Sequence, residues 1–548
     1  MPIQRTSSNR LMVEVAEGSS LESIARSTDI SDGLEAVIPA GGSGPPRGWG
    51  ALKLPTGRPD LHPWDEAHAA LTRHESLGLE SAPVYAEPDF VQAFPYQGPD
   101  DQGLESFGSA GACVLSGPDD FWPPAIPRPT FPFAWHLGDN FSGLQAARDR
   151  VGDPTGKRVR IAILDTGYDP EHISLPEHLM TALQWNFVDD NNDARDPNRH
   201  FPTNNPGHGT ATLALLAGGK VHPAAFPGFD AYLGGAPHAE VVPVRIADSV
   251  IHFGTYAIAQ GIEYAIAKGC DVVSISMGGV PARSWAAAVN RAYEAGVAIF
   301  AAAGNRIGLS PPSTIVYPAR FNRVVAVCGV TADRTPYFKA GLHRKMQGCF
   351  GPPAKMSTAI AAYTPNTPWS ILGCHELITI DGAGTSSATP QAAAAAALWL
   401  QKNLTVPGLQ GWQKVEAVRH ALFTTADDNV PDVSTYYGNG LLRANAALDV
   451  AFRADLPKTA EDEVSFPWLR LLGVLEAAPP SGRALMFEVE ALQIYEQSLE
   501  LQRITGGADY HKDQLDRFTL KHLVAGLAAS PYASRSLREH LAEVSRQL

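Results

Sequence analysis

Between about residues 134 and 452, short apolar runs alternate with alanine-rich helical segments, and this alternation constrains the fold more than any other feature of the chain. Residues 159–164, 240–245, 271–276, 297–301 and 324–330 are predominantly apolar, as strands covered on both faces must be. Helical patterns at 209–216, 256–268, 284–294 and 390–401 separate or follow them. Repeated strand and helix segments imply parallel crossover units, so this region predicts an α/β, doubly wound, mostly parallel sheet flanked by helices. Pro390 is expected in the first turn of the last helix, where a missing N–H costs nothing.

A chain of 548 residues exceeds one ordinary core. Residues 11–94 read as a small α+β unit, with strand patterns at 11–15 and 51–54, helical ones at 21–26 and 64–73, and a final extended piece at 83–94. From 95 to 132 the composition turns to Pro, Gly, Asp and Ser, the character of an exposed linker. After a polar stretch at 457–463, apolar residues such as Leu520, Leu523, Val524 and Leu527 recur at helical spacing. The expected organisation is therefore 1–94, linker 95–133, main domain 134–455 and helical C-terminal extension 456–548. The extension reads as an appendage packed on the main domain; the alternative is a docking module for a protein partner.

With 43 basic and 57 acidic residues the formal charge is −14 and no long basic run occurs, which argues against nucleic acid or an anionic membrane as a partner. No apolar stretch approaches the roughly 18 residues a membrane helix needs. The first residues carry Arg5 and Arg10 without an apolar core, so no secretory signal is expected here and the chain reads as cytoplasmic, or as exported by a route this sequence does not contain. Five cysteines, none in a CxxC pair, read as reduced core thiols; the alternative is a bond between Cys349 and Cys374, which flank an insertion.

Four short segments carry chemistry. Ala162-Ile163-Leu164-Asp165-Thr166-Gly167 puts a carboxylate at the carboxyl end of a buried strand, the edge where sites form in open α/β sheets. Alone, such an Asp serves equally as a cap or turn former. Gly207-His208-Gly209 starts a helix with an imidazole between residues that let backbone approach closely. Ala303-Gly304-Asn305 ends a strand with an amide, and Gly384-Thr385-Ser386-Ser387 leads a serine into a helix N-terminus, where developing negative charge is favoured. A phosphate-binding protein would need a GxGxxG or GxxxxGK[ST] loop after an early strand, and Asp165-Thr166-Gly167 offers neither.

Taken together, Asp165, His208, Asn305 and Ser386, with the chain order Asp, His, Ser, make the region 134–450 resemble the subtilisin-like serine proteases, or subtilases. The resemblance implies a serine endopeptidase acting on protein or peptide substrates, with Ser386 as nucleophile, His208 as general base, Asp165 as its partner and Asn305 as an oxyanion-hole donor. Val273-Ser274-Ile275-Ser276-Met277-Gly278-Gly279 is similar to the family's substrate-binding strand, so Ser276, Met277 and Gly278 are expected along one edge of the cleft and residues 251–254 along the other. Tyr437-Gly438-Asn439-Gly440 resembles the family's closing motif. No cofactor is required for this chemistry.

Three departures bear on function. In Thr314-Ile315-Val316-Tyr317-Pro318, Val316 stands where the family often has Gly at the base of the first specificity pocket, which implies a shallow apolar pocket. Many subtilases hold structural calcium, and Asp189, Asp190 and Asp193 are candidate ligands, although their spacing fits a solvated loop better. The N-terminal unit looks like the family's inhibitory propeptide, an intramolecular partner expected to add a strand beside Ser276–Gly278, yet some forty residues separate it from the main domain.

Overall fold

The computed structural model describes residues 6–15, 34–38, 48–53, 62–77, 83–93, 113, 133–197, 207–250, 252–307, 314–338, 346–472 and 482–548. The expected helix at 21–26 and all of the 95–132 stretch except Cys113 lie outside them.

At the centre is a seven-stranded sheet, every neighbouring pair parallel, in the spatial order Ala359–Tyr363, Val324–Val330, Ala298–Ala302, Val272–Ile275, Arg160–Asp165, Glu240–Arg245, Trp185–Asn186. The apolar runs became strands because both faces are covered. Ala162, Leu164, Val273 and Ile275 pack with the helices Thr255–Ala267 and Arg283–Ala295, whereas Ile161, Ile163, Val272 and Phe300 pack with His208–Ala217 and Gly384–Asn403. With all strands parallel, their carboxyl ends share one edge. Among the described residues no helix is long and apolar enough to cross a membrane.

The helix carrying Ser386 starts earlier than its composition suggests. It runs Gly384–Asn403 with Pro390 inside it rather than in its first turn. A proline there has no N–H for the carbonyl four residues earlier, which is that of Ser386. The Ser276 hydroxyl takes over, donating to Ser386 O at 3.0 Å. A single borrowed hydrogen bond thus lets the helix pass through its proline and ties its first turn to the end of a central strand.

The N-terminal strands Thr6–Val15, Leu34–Ile38, Gly48–Lys53 and Pro83–Ala93 pair antiparallel, with helix Pro63–Leu77 packed against the sheet. This sheet continues into the main body: Pro83–Ala93 pairs antiparallel with His252–Gly254, with Ala93 opposite His252 and Val91 opposite Gly254. The added strand therefore lies on the 252–254 edge, not beside Ser276–Gly278 as the sequence suggested. Two buried carboxylates anchor it there. Glu87 and Asp89 are buried over the starts of two helices whose own cap residues, Ala282 and Gly254, offer no side-chain acceptor. Glu87 accepts from Arg283 N, Ser284 N and Ser284 Oγ at 2.9, 3.0 and 2.6 Å, and Asp89 accepts from Tyr256 N at 2.9 Å. Carboxylates at helix N-termini satisfy orphan donors and the dipole together.

The C-terminal helices Gly482–Glu496, Leu499–Ile504, Arg517–Ala529 and Arg535–Gln547 pack on both other parts. Gln493 joins all three, accepting from Trp64 Nε1 at 3.1 Å and donating to Pro281 O at 2.8 Å. Asp65 caps the last helix, accepting from Arg535 N and Ser536 N at 3.0 and 2.8 Å.

The cysteine reading needs correction. Cys113 is bonded to Cys374, while Cys270, Cys328 and Cys349 are free and buried. The pairing of Cys374 with Cys349 fails because Cys349 is buried with its N–H bonded to Gly304 O, whereas Cys374 is bonded to Cys113. Burial pushes the Cys270 and Cys328 thiols up to about 12, so these two are inert packing residues. A disulfide between positions 261 residues apart belongs to an oxidising compartment, which removes support for the cytoplasmic expectation.

Candidate active site

Asp165 ends the strand Arg160–Asp165 and His208 begins the helix His208–Ala217. His208 Nδ1 and Asp165 Oδ1 are 2.8 Å apart, with both side chains buried. The carboxylate is held by residues the sequence did not single out for this purpose: Thr166 N donates to Oδ1 at 2.7 Å and Thr212 Oγ1 to Oδ2 at 3.0 Å. Thr212 lies one helical turn from His208, so its position on the shared face was readable from spacing. Trp369 packs edge-on against the imidazole, with centroids 5.6 Å apart. The glycines beside His208 are both required. Gly207 has φ +83°, and a Cβ on Gly209 would fall 2.1 Å from Gly167 O.

Ser386 sits in the first turn of Gly384–Asn403 and is almost fully buried. Its hydroxyl donates to Ser276 O at 2.9 Å, the counterpart of the bond from Ser276 to Ser386 O. Asn305 stands beside this turn. Thr385 N donates to Asn305 Oδ1 at 2.9 Å, which fixes the amide, and Nδ2 lies 3.0 Å from where a Cβ on Gly384 would be. Gly384 has φ +78°, so the turn needs glycine for conformation as well as space. Asp165, His208, Asn305 and Ser386 thus gather at the carboxyl edge of the sheet.

Ser276, Met277 and Gly278 follow directly from the strand Val272–Ile275, and Gly279 pairs with Tyr317 across an isolated bridge. Val316 is wedged between two glycines: a Cβ on Gly278 would lie 2.5 Å from Val316 Cγ2, and one on Gly304 would lie 2.9 Å from the same atom. Its isopropyl group fills the space between the two chain segments. Of the opposite edge, 252–254 are described and carry the N-terminal strand; residue 251 lies outside the described set.

The acidic loop does not fit calcium. Asp189 is bonded to Arg245 Nη1 at 2.8 Å and to Asn186 Nδ2 at 3.1 Å, and Asp193 to Arg195 Nε at 2.7 Å. Asp190 is exposed, with φ +52°. Among the described residues these three carboxylates do not bring their oxygens within 4.8 Å of one another, so they form no shared oxygen shell for calcium.

A family model described as the subtilase family matches residues 156–440. Over 299 residues the chain is 31% identical to subtilisin DY of Bacillus licheniformis, covering 53% of this chain and 91% of that protein. Thermitase of Thermoactinomyces vulgaris is 28% identical over 295 residues, covering 54% and 89%. Among solved structures, fervidolysin from Fervidobacterium pennivorans superposes with a TM-score of 0.55 at 18% identity, over 83% of this chain and 63% of that one, a likeness of fold. With the matched region enclosing Asp165, His208 and Asn305, and Ser386 within the same span, the chain belongs to the subtilase family and is a serine endopeptidase.

Proposed function

We propose that this endopeptidase works through Ser386, His208 and Asp165, with Asn305 as oxyanion donor, and that residues 1–94 hold residues 134–455 latent. The observation that carries the catalytic reading is the buried 2.8 Å contact between Asp165 and His208 on the sheet edge that also bears Ser386 and Asn305. Asp165 holds Nδ1–H, which leaves Nε2 as the basic nitrogen. The Ser386 hydroxyl, here given to Ser276 O, must turn to Nε2 before it can attack. A substrate backbone laid along Ser276–Gly278 competes for that carbonyl, so substrate binding itself releases the hydroxyl.

Ser386 Oγ then attacks the scissile carbonyl carbon and its proton passes to His208 Nε2. The carbonyl oxygen becomes an oxyanion beside Asn305 Nδ2 and the N-terminus of the Ser386 helix. Collapse expels the amine, which takes the proton from His208, and leaves an acyl-enzyme. Water, deprotonated by His208, repeats the sequence and frees the carboxylate.

Latency is supported by the strand that Pro83–Ala93 adds to the 252–254 edge and by the Glu87 and Asp89 caps. Two such buried caps, together with the Trp64–Gln493–Pro281 bridge, make docking specific. The catalytic reading is tested by fluorophosphonate labelling with intact-mass detection. One adduct on the unmodified protein and none on a folded Ser386→Ala variant is expected; an adduct on that variant sinks the assignment.

A further inference from the structure

The amino ends of the parallel strands, the edge opposite the active site, gather three side chains that catalysis does not use. Asp153 follows the helix Leu144–Val151, His178 lies before the short turn Thr181–Leu183, and His238 lies two residues before the strand Glu240–Arg245. One ligand atom from each lies within 4.8 Å of the other two.

The backbone sets this grouping. Val241 N donates to His178 O at 2.9 Å, and Leu179 pairs in parallel with Val241, which registers His178 beside the start of the strand that His238 leads into. Arg158 orients the third group: its Nη1 donates to Asp153 Oδ1 at 2.6 Å and to His238 O at 3.0 Å. His238 Nδ1 is buried without a hydrogen-bond partner among the described residues. Asp153 Oδ1 lies 3.9 Å from it, beyond hydrogen-bond reach. A buried ring nitrogen facing a carboxylate across such a gap is expensive unless something else occupies the space.

We propose that Asp153, His178 and His238 bind a zinc-class divalent cation that staples these three segments together, independently of catalysis. Two imidazole nitrogens and one carboxylate oxygen, with a water as fourth ligand, form a tetrahedral donor set that suits zinc. Calcium, which takes six to eight oxygens, is excluded by the same set. Arg158 acts as the outer partner that fixes a ligating carboxylate.

The test uses the full chain carrying Ser386→Ala, so that self-digestion does not intrude. Zinc chloride, calcium chloride and cobalt chloride are titrated in turn, with melting temperature, calorimetry and visible absorption as readouts. Zinc should bind one ion per chain at this site and raise the melting temperature, calcium should not, and cobalt should show tetrahedral d–d bands. His178→Ala, His238→Ala and Asp153→Asn, each added in turn, should remove the cobalt bands and weaken zinc by more than tenfold. Arg158→Gln should weaken zinc about 10- to 100-fold. Asp153 is well exposed, so its variant folds and keeps the test decisive even if a histidine variant does not. Absence of both the zinc-dependent melting shift and the cobalt bands overturns the proposal. So does zinc binding of unchanged affinity in Asp153→Asn and either histidine variant, which would place the ion elsewhere.

Discussion

Replacing Glu87 by alanine is the sharpest test of how the N-terminal unit is held. Glu87 is buried, and three of its donors, Arg283 N, Ser284 N and Ser284 Oγ, belong to the main body, while a fourth, Tyr85 OH at 3.0 Å, is its own neighbour. When the unit is docked, truncation leaves those three donors covered and unmet; when it is undocked, water serves them in wild type and variant alike. Each unmet buried donor costs about 1–3 kcal/mol, and an anion lost from a helix start about 0.3–1 kcal/mol more. Partial rehydration of the gap makes the sum sub-additive, so a loss of about 2–4 kcal/mol is expected. At 1.4 kcal/mol per decade this raises the undocked population about 30- to 700-fold. The assay is the rate of fluorophosphonate labelling of Ser386 in the full chain, because on the proposed latency only undocked protein reacts. Glu87→Gln, which keeps the shape and one acceptor, should fall between wild type and Glu87→Ala. If Glu87→Ala melts at a lower temperature yet labels at the wild-type rate, the caps stabilise the fold but the unit does not close the site. If the melting temperature is also unchanged, the capping argument itself fails.

Val316→Gly should empty the space between Gly278 and Gly304 and raise the kcat/KM ratio of Phe over Ala before the scissile bond by at least about tenfold; an aromatic preference already present in the unmodified enzyme would refute the placement. Asn305→Ala should lower kcat by about 10²–10³ with KM nearly unchanged, measured on a small chromogenic peptide. Burial between helix Pro63–Leu77 and Phe487 pushes the His68 imidazole down to about 3, with Arg483, Asp65, His540 and His62 as its charged or titratable neighbours. Its buried neutral state is fully compatible with docking above pH 6.5, and stability is lost as the pH falls below 6.5, by about 1.4 kcal/mol per unit for this one group. Melting temperature followed from pH 7 to pH 5 should therefore fall less steeply in His68→Leu than in the unmodified protein, and parallel curves would count against it.

The central sheet was legible because each strand is buried on both faces and so has a local signature. Residues 159–164, 240–245 and 324–330 differ from the strands Arg160–Asp165, Glu240–Arg245 and Val324–Val330 by at most one residue. The segments bearing Asp165, His208, Asn305 and Ser386 were each ambiguous alone, and only their joint order along the chain pointed to a site. What the sequence hid depends on partners far away. The helix at Gly384 passes through Pro390 only because Ser276, 110 residues earlier, supplies the missing donor. The seat of Pro83–Ala93 beside 252–254 depends on which helix starts lack a cap, a property of Ala282 and Gly254 that appears only after folding. The position of the C-terminal helices over Trp64 and Asp65 rests on contacts spanning more than 400 residues, for which no local pattern exists.

The bond between Cys113 and Cys374 makes the position of a cut in the intervening stretch matter. Scission before residue 113 parts the N-terminal strands from the rest of the chain, and only non-covalent contacts then retain them. Scission between 113 and 133 leaves the same strands covalently attached through sulfur, so two polypeptides travel as one. Such a nicked molecule would run as a single band on a non-reducing gel and as two after thiol treatment. On the proposed latency, its activation would then respond to a reductant as well as to a protease.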